Sequence, residues 1–291
     1  MSTDDTTRET PAREAPVPTA STGPGNPGRT ILVGLSALLV GLAAVPPALG
    51  YVQGRPDGRP LDVDGTTAAT TIEVDTDRAD VTVVPTAGDE IEWSVVGGRG
   101  TTSADLTESG DTATLEVDDG RGGWARIGPS FDLDWMGRRS SDTALVTVAV
   151  PEGTDVVVSS GFGRVQAEDV ALGDLSVESS FGSVLASGSA ENLDLRLDYG
   201  EVTAVDLAVA GAIEVYADFG DVELRSPEVP TSVDVEASFG DVTVALPPGP
   251  YSVSHGSDLG DVRNLLEQAG DGPTVPVRLH TSFGSVTAET Y

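Results

Sequence analysis

From residue 71 to the C-terminus the chain alternates apolar and polar positions with a period of two, the pattern of strands that bury one face and wet the other. Residues 71–75, 80–85, 90–96, 112–118 and 144–151 read as such strands, and the only stretch that competes as helix is 262–269. After Val156 the alternation becomes a repeat: two apolar residues spaced by one, a short polar step, an aromatic residue (once Leu) followed by glycine, and an apolar residue two places on. The glycines are Gly163, Gly182, Gly200, Gly220, Gly240, Gly260 and Gly284, so successive units are 19, 18, 20, 20, 20 and 24 residues apart. A period near 20 residues predicts a stacked architecture, because each unit is too short to bury an apolar face alone.

Aligned on the glycine, the units form columns. The first runs Val156, Leu175, Leu193, Ile213, Val233, Val253 and Val277; the second, Val158, Val177, Leu195, Val215, Val235, His255 and Leu279. The aromatic column is Phe162, Phe181, Tyr199, Phe219, Phe239, Leu259 and Phe283, and the position after the glycine step is Val in all seven units, Val165 to Val286. Like residues in neighbouring coils would lie roughly 4.8 Å apart. The expectation is an all-β, parallel β-helix-like solenoid whose core contains all four columns, each Val or Leu contributing roughly 1.5–3 kcal/mol. Glycine after the aromatic marks a sharp corner between two short strands. Ile72, Val74 and Val81 fit the same offsets with Arg78-Ala79 in place of the aromatic-glycine step, which predicts an imperfect coil at the start of the stack.

Composition supports this reading and removes whole function classes. With 35 Gly and 19 Pro, turns abound; with no Cys, disulfides and thiol chemistry are excluded. A net charge of -31, with every one of the 16 basic residues an Arg, repels phosphate backbones, so no nucleic-acid partner is expected. Residues 1–29 are rich in Pro, Thr and Ser and read as a disordered tail. Residues 30–50 carry no charge and are centred on the apolar run 31–45, which predicts a single transmembrane helix or signal anchor, with a cleaved signal peptide as the alternative. A Gly, Pro and Asp spacer, 51–70, leads to the β-rich part, 71–291. Membrane attachment through 30–50, with the acidic C-terminal part outside the cell, is the expected arrangement.

The lead Val-Pro-Glu-Gly at 150–153, then Ser-Ser-Phe-Gly-Ser-Val at 179–184 and Ala-Ser-Phe-Gly-Asp-Val at 237–242, resemble the bacterial putative-adhesin family, a domain of unknown function built of β-strand repeats. The likeness covers roughly 71–291. It implies a membrane-tethered, envelope-facing β-solenoid and brings no catalytic residues with it.

Candidate chemistry sits at the corners. The residue after each glycine reads Arg164, Ser183, Glu201, Asp221, Asp241, Asp261 and Ser285; the one before each aromatic includes Asp198, Asp218 and Asp258. Stacked carboxylates repel, and a hard cation such as Ca²⁺ would relieve them, which makes Asp218, Asp221, Asp241, Asp258 and Asp261 candidate metal ligands beside the plainer reading of solvated turns. The Gly-Gly-x-Gly-x-Asp repeat of Ca²⁺-binding β-rolls is missing. Paired acids on a β-helix could also act on a glycan, but a regular row lacks the asymmetry that acid/base work needs. His255, in an otherwise apolar column, points to a partly buried core histidine or a weakened coil. One segment breaks the pattern with large side chains: Trp124, Phe131, Trp135, Met136, Arg138 and Arg139. It reads either as a cap over the solenoid end or as a docking loop for an envelope protein or glycan. The function expected is non-enzymatic binding or scaffolding at the cell envelope, adhesin-like or sensing, without a cofactor; a cation-stiffened spacer and a glycan-acting enzyme are the alternatives.

Overall fold

The computed structural model describes residues 61–97, 101, 103–118, 143–266 and 274–291, all within one compact unit, 49–291. The tail 1–29, the apolar run 30–50 and the loop residues Trp124, Phe131, Trp135, Met136, Arg138 and Arg139 lie outside the described residues. Among those described there are strands and turns, and no helix long and apolar enough to cross a membrane.

Sixteen strands form a single sheet system: β1 (Asp62–Thr67), β2 (Thr71–Pro85), β3 (Ile91–Val96), β4 (Ser103–Ser109), β5 (Thr112–Asp118), β6 (Ala144–Val150), β7 (Thr154–Ala190), β8 (Asn192–Val209), β9 (Ala212–Phe219), β10 (Val222–Arg225), β11 (Ser232–Phe239), β12 (Val242–Leu246), β13 (Tyr251–Leu259), β14 (Val262–Asn264), β15 (Val275–Phe283) and β16 (Val286–Thr290). Two differences from the sequence reading are immediate. Asp62–Thr67, inside the stretch taken as spacer, is a strand paired with β3. Residues 262–264, the start of the stretch with helical character, are strand β14.

From β7 onward the pairing is parallel, as is that of β2 with β5, β6 and β7, and the register follows the alignment on glycine. Ile213 lies between Leu193 and Val233, Val222 between Val202 and Val242, and Phe219 between Tyr199 and Phe239. Within Val156, Leu175, Leu193, Ile213, Val233 and Val277 no side chain is more than 2% exposed, and the valines after the glycine step are equally buried except Val262. The alternation thus buries one face of every coil in a shared interior, as parallel strands closed on themselves require.

The coils do not stack wholly in chain order. From one end to the other they run β5 and β6, then β2, the two halves of β7, β8, β9 with β10, β11 with β12, β15 with β16, and finally β13 with β14. Residues 71–85 do form a coil on the predicted offsets, but β5 and β6 lie beyond it. At the other end the last segment, β15 and β16, slides between β12 and β14. The residue types account for that exchange. Val277, Leu279 and Val286 fill every inward position, so their coil suits a place with neighbours on both sides. The coil of β13 and β14 places exposed His255 in an inward column, a residue tolerable only at an end.

The two ends are finished differently. At the β5 and β6 end the parallel ladder turns antiparallel: β3 pairs β6, β1 pairs β3, and β4 pairs β5. Thr67 Oγ1 donates to Glu108 Oε1 at 2.5 Å, tying β1 to β4. The outer strands β1 and β4 are short and carry Asp62, Asp64, Asp105 and Glu108, which discourages further strand addition.

A candidate interaction surface at the solenoid corner

The corner is built by glycine. At Gly200 a Cβ would sit 1.5 Å from the carbonyl oxygen of Gly182, and at Gly220 1.6 Å from that of Gly200. Backbone φ there is +152° and +144°, a region L side chains rarely adopt. Neighbouring corners therefore approach main chain to main chain, and any side chain would wedge the coils apart.

Contrary to the sequence expectation, the aromatic column is not in the core: Phe162, Phe181, Tyr199, Phe219, Phe239 and Phe283 are each 40–46% exposed. They are nonetheless aligned, six rings in a face-to-face ladder with centroids 4.7–4.9 Å apart and planes within 7° of parallel. Behind the corner the interior belongs to residues two places earlier, which are mostly small: Ser160, Ser179, Leu197, Ala217, Ala237 and Thr281. A second inward column follows the valines: Ala167, Ala186, Ala204, Leu224, Val244 and Ala288. Both were readable as the continuation of the period-two alternation through small residues, a weaker signal than the repeated Val and Phe.

Because each ring covers its neighbour's face, the ladder presents ring edges to solvent and keeps its faces to itself. It is an apolar ridge running along the stack. Arg78, the residue of β2 that stands in register with Phe162, closes one end with its guanidinium 5.3 Å from the ring centroid. Leu259, 63% exposed, closes the other.

Acidic side chains flank the ridge and bind locally. Asp221 Oδ1 accepts the Asp241 backbone N–H at 2.8 Å, Asp241 Oδ1 accepts that of Ser285 at 2.7 Å, and Asp80 Oδ1 accepts that of Arg164 at 2.9 Å. Asp221 and Asp241, each the residue after a corner glycine, thus clamp the main chain of the next coil. Asp218 Oδ1 accepts from the Tyr216 hydroxyl at 2.6 Å and from Ser238 Oγ at 3.0 Å. That carboxylate holds the Tyr216 hydroxyl above the ordinary phenol range. Asp258 and Asp261 are exposed on the outermost coil. Among the described residues, no group of three or more His, Asp or Glu side chains is placed to hold a metal ion. His255 is exposed on that same coil, and His280 is half-buried one coil inward, in register with Glu236 and Gly256.

An all-β solenoid with a glycine-cornered parallel stack and an antiparallel cover at one end is the class these features define. The family model described as Toastrack DUF4097 matches residues 69–291, and the chain belongs to that family. No curated protein matches it. Among solved structures it is similar to a putative cell adhesion protein of Clostridium sporogenes, 11% identical with a TM-score of 0.38, over 80% of this chain and 100% of that one. A putative adhesin of Bacteroides fragilis is 12% identical, TM-score 0.41, over 79% of this chain and 97% of the other. A putative adhesin of Parabacteroides distasonis is 14% identical, TM-score 0.41, over 81% and 98%.

Proposed function

We propose that the chain is a non-enzymatic binding or scaffolding protein of the cell envelope, tethered through residues 30–50 and displaying the solenoid outside the cell. The observation that carries this reading is the ridge. Six half-exposed rings in one line form an apolar surface of a kind that soluble folds seldom leave uncovered without a use. The ring faces are spent on one another, so the ridge does not offer the flat platform on which a single sugar ring would stack. It suits a long partner lying along the stack, an envelope polymer or a protein surface, with the flanking carboxylates excluding anionic competitors. Trp124, Trp135, Arg138 and Arg139 lie in sequence between β5 and β6, outside the described residues, and in this reading they are a second docking element.

Two measurements test the proposal. Protease added to intact cells should remove the solenoid from a tagged full-length chain; protection until the cells are lysed would place it inside and refute the reading. Cosedimentation of the full chain, in mild detergent, with cell-wall sacculi should fall by about tenfold, 1.4 kcal/mol, in a Phe219→Ser, Phe239→Ser double variant that keeps its strand spectrum. Undiminished sedimentation of that folded variant would show that the ridge is not the contact.

A further inference from the structure

We propose that the partner of the ridge is a lysine- or arginine-rich stretch of another protein, laid along the rings with its charged heads on the flanking carboxylates. The inference rests on the reading of the ridge as the contact and adds the chemistry of what it contacts.

The flanks divide the ridge in two. At Phe162 and Phe181 the residues before the ring are Gly161 and Ser180, and those after the corner glycine are Arg164 and Ser183, so neither column carries an acid there. At Tyr199, Phe219 and Phe239 the same columns hold Asp198, Asp218, Glu201, Asp221 and Asp241, five carboxylates around three rings. All but half-buried Asp218 are exposed. Their hydrogen bonds come from neutral donors, the Tyr216 and Ser238 hydroxyls and the N–H groups of Asp241 and Ser285, which leave the charge in place. Among the described residues none of the five makes an ion pair, while Arg196, Arg225 and Arg278 are taken up by Asp194, Glu223 and Asp234. Stacking sets these like charges roughly one strand spacing, 4.8 Å, from one another, and a cation from outside relieves that repulsion.

An apolar strip between uncompensated carboxylates selects its partner by charge. A purely apolar surface would seal the carboxylates from water without a counter-charge, which costs far more than burying ring edges returns. A second copy of this chain, with its net charge of -31, or an anionic polymer would add to the repulsion. Ring edges carry the positive end of the aromatic quadrupole, so a bare cation does not settle on the ridge itself. Lysine and arginine meet both demands, because their methylene stems cover the ring edges while their heads reach the carboxylates. The ladder already accepts one such group: the Arg78 guanidinium lies 5.3 Å from the Phe162 centroid, on the outer face of the end ring. Five centroid steps of 4.7–4.9 Å make the ridge about 24 Å long, the span of about seven extended residues. The basic side chains of that stretch belong over the coils from β8 to β12, and its uncharged part over Phe162 and Phe181.

Fluorescence anisotropy of a labelled oligolysine, about twelve residues long, reads this on the full-length chain in a non-ionic detergent at low salt. Binding should weaken about fivefold in Asp198→Asn with Glu201→Gln, and about fivefold in Phe219→Ser with Phe239→Ser. It should not change in Asp62→Asn with Asp64→Asn, which removes the same charge from β1 at the covered end. All six side chains are exposed, and an unchanged melting transition shows that the fold is kept. Equal weakening by the β1 pair would reduce the attraction to net charge and overturn the proposal, as would oligolysine that does not bind or that ignores the two rings. Sacculus binding that falls in the ring variant while oligolysine binding holds would overturn this inference and leave the ridge as the contact; if neither falls, the reading of the ridge is refuted as well.

Discussion

The coil of β9 and β10 and the coil of β13 and β14 are written in almost the same words, yet their side chains meet different fates. Ile213, Val215 and Val222 are no more than 3% exposed; the equivalent Val253, His255 and Val262 are half-buried or exposed. Both coils share the glycine corner and the register. What differs is the number of neighbours. In a stack each coil touches only the next, so burial is conferred by position and not by the unit itself. An apolar residue in this repeat stabilises the fold to the extent that a coil lies on either side of it.

The largest expected effect tests that dependence. Gly220→Ala forces a Cβ into the carbonyl of Gly200 at 1.6 Å and φ +144°, and should cost upward of about 4 kcal/mol, seen as loss of a cooperative thermal transition. Gly260→Ala meets a similar obstacle, 1.8 Å from Gly284 O, but at the end of the stack. It should release only the last coil, raising hydrogen exchange in β13 and β14 while the melting point of the remainder holds. Equal global damage from the two would refute the one-dimensional account.

Next in size, Ile213→Ala opens a hole in a packed interior and should cost roughly 2–5 kcal/mol in denaturant unfolding, whereas Val253→Ala at the end should cost about 1 or less. Phe219→Ala removes two stacking contacts, with Tyr199 and Phe239, each worth about 0.5–1.5 kcal/mol beyond area. Its expected cost is about 1–3 kcal/mol; a value near zero would mark the ladder as kept for binding alone. Smallest is Asp221→Ala, which leaves the exposed Asp241 N–H to water and should cost about 1 kcal/mol in the same assay.

Much of the fold was legible because the period is strict and the columns are chemically pure. Seven valines after seven glycine steps admit little besides stacking, and the register confirms the alignment. The aromatic column misled because hydrophobicity alone does not say on which side of a corner a ring will fall. The rings fell outward while Ala217 and Ala237 took the inside. The acidic row likewise showed its regularity but not its work, since hydrogen bonds between residues 20 apart in sequence, as from Asp241 N–H to Asp221, appear only once coils are stacked. β1 escaped notice because Asp62, Asp64 and Gly65 dilute its alternation, and its pairing with β3 comes from tertiary contact.

The exchanged order of the two final coils bears on how the molecule is made. From β7 to β12 each strand can add to one already made as the polypeptide emerges. Residues 251–264 cannot: the bed they finally occupy is β15 and β16, which are synthesised after them. Completion of the stack thus waits for β15 and β16. Loss of residues 274–291 would leave β13 and β14 without the partners they hold in the finished stack, so this later segment is the wedge that locks the end.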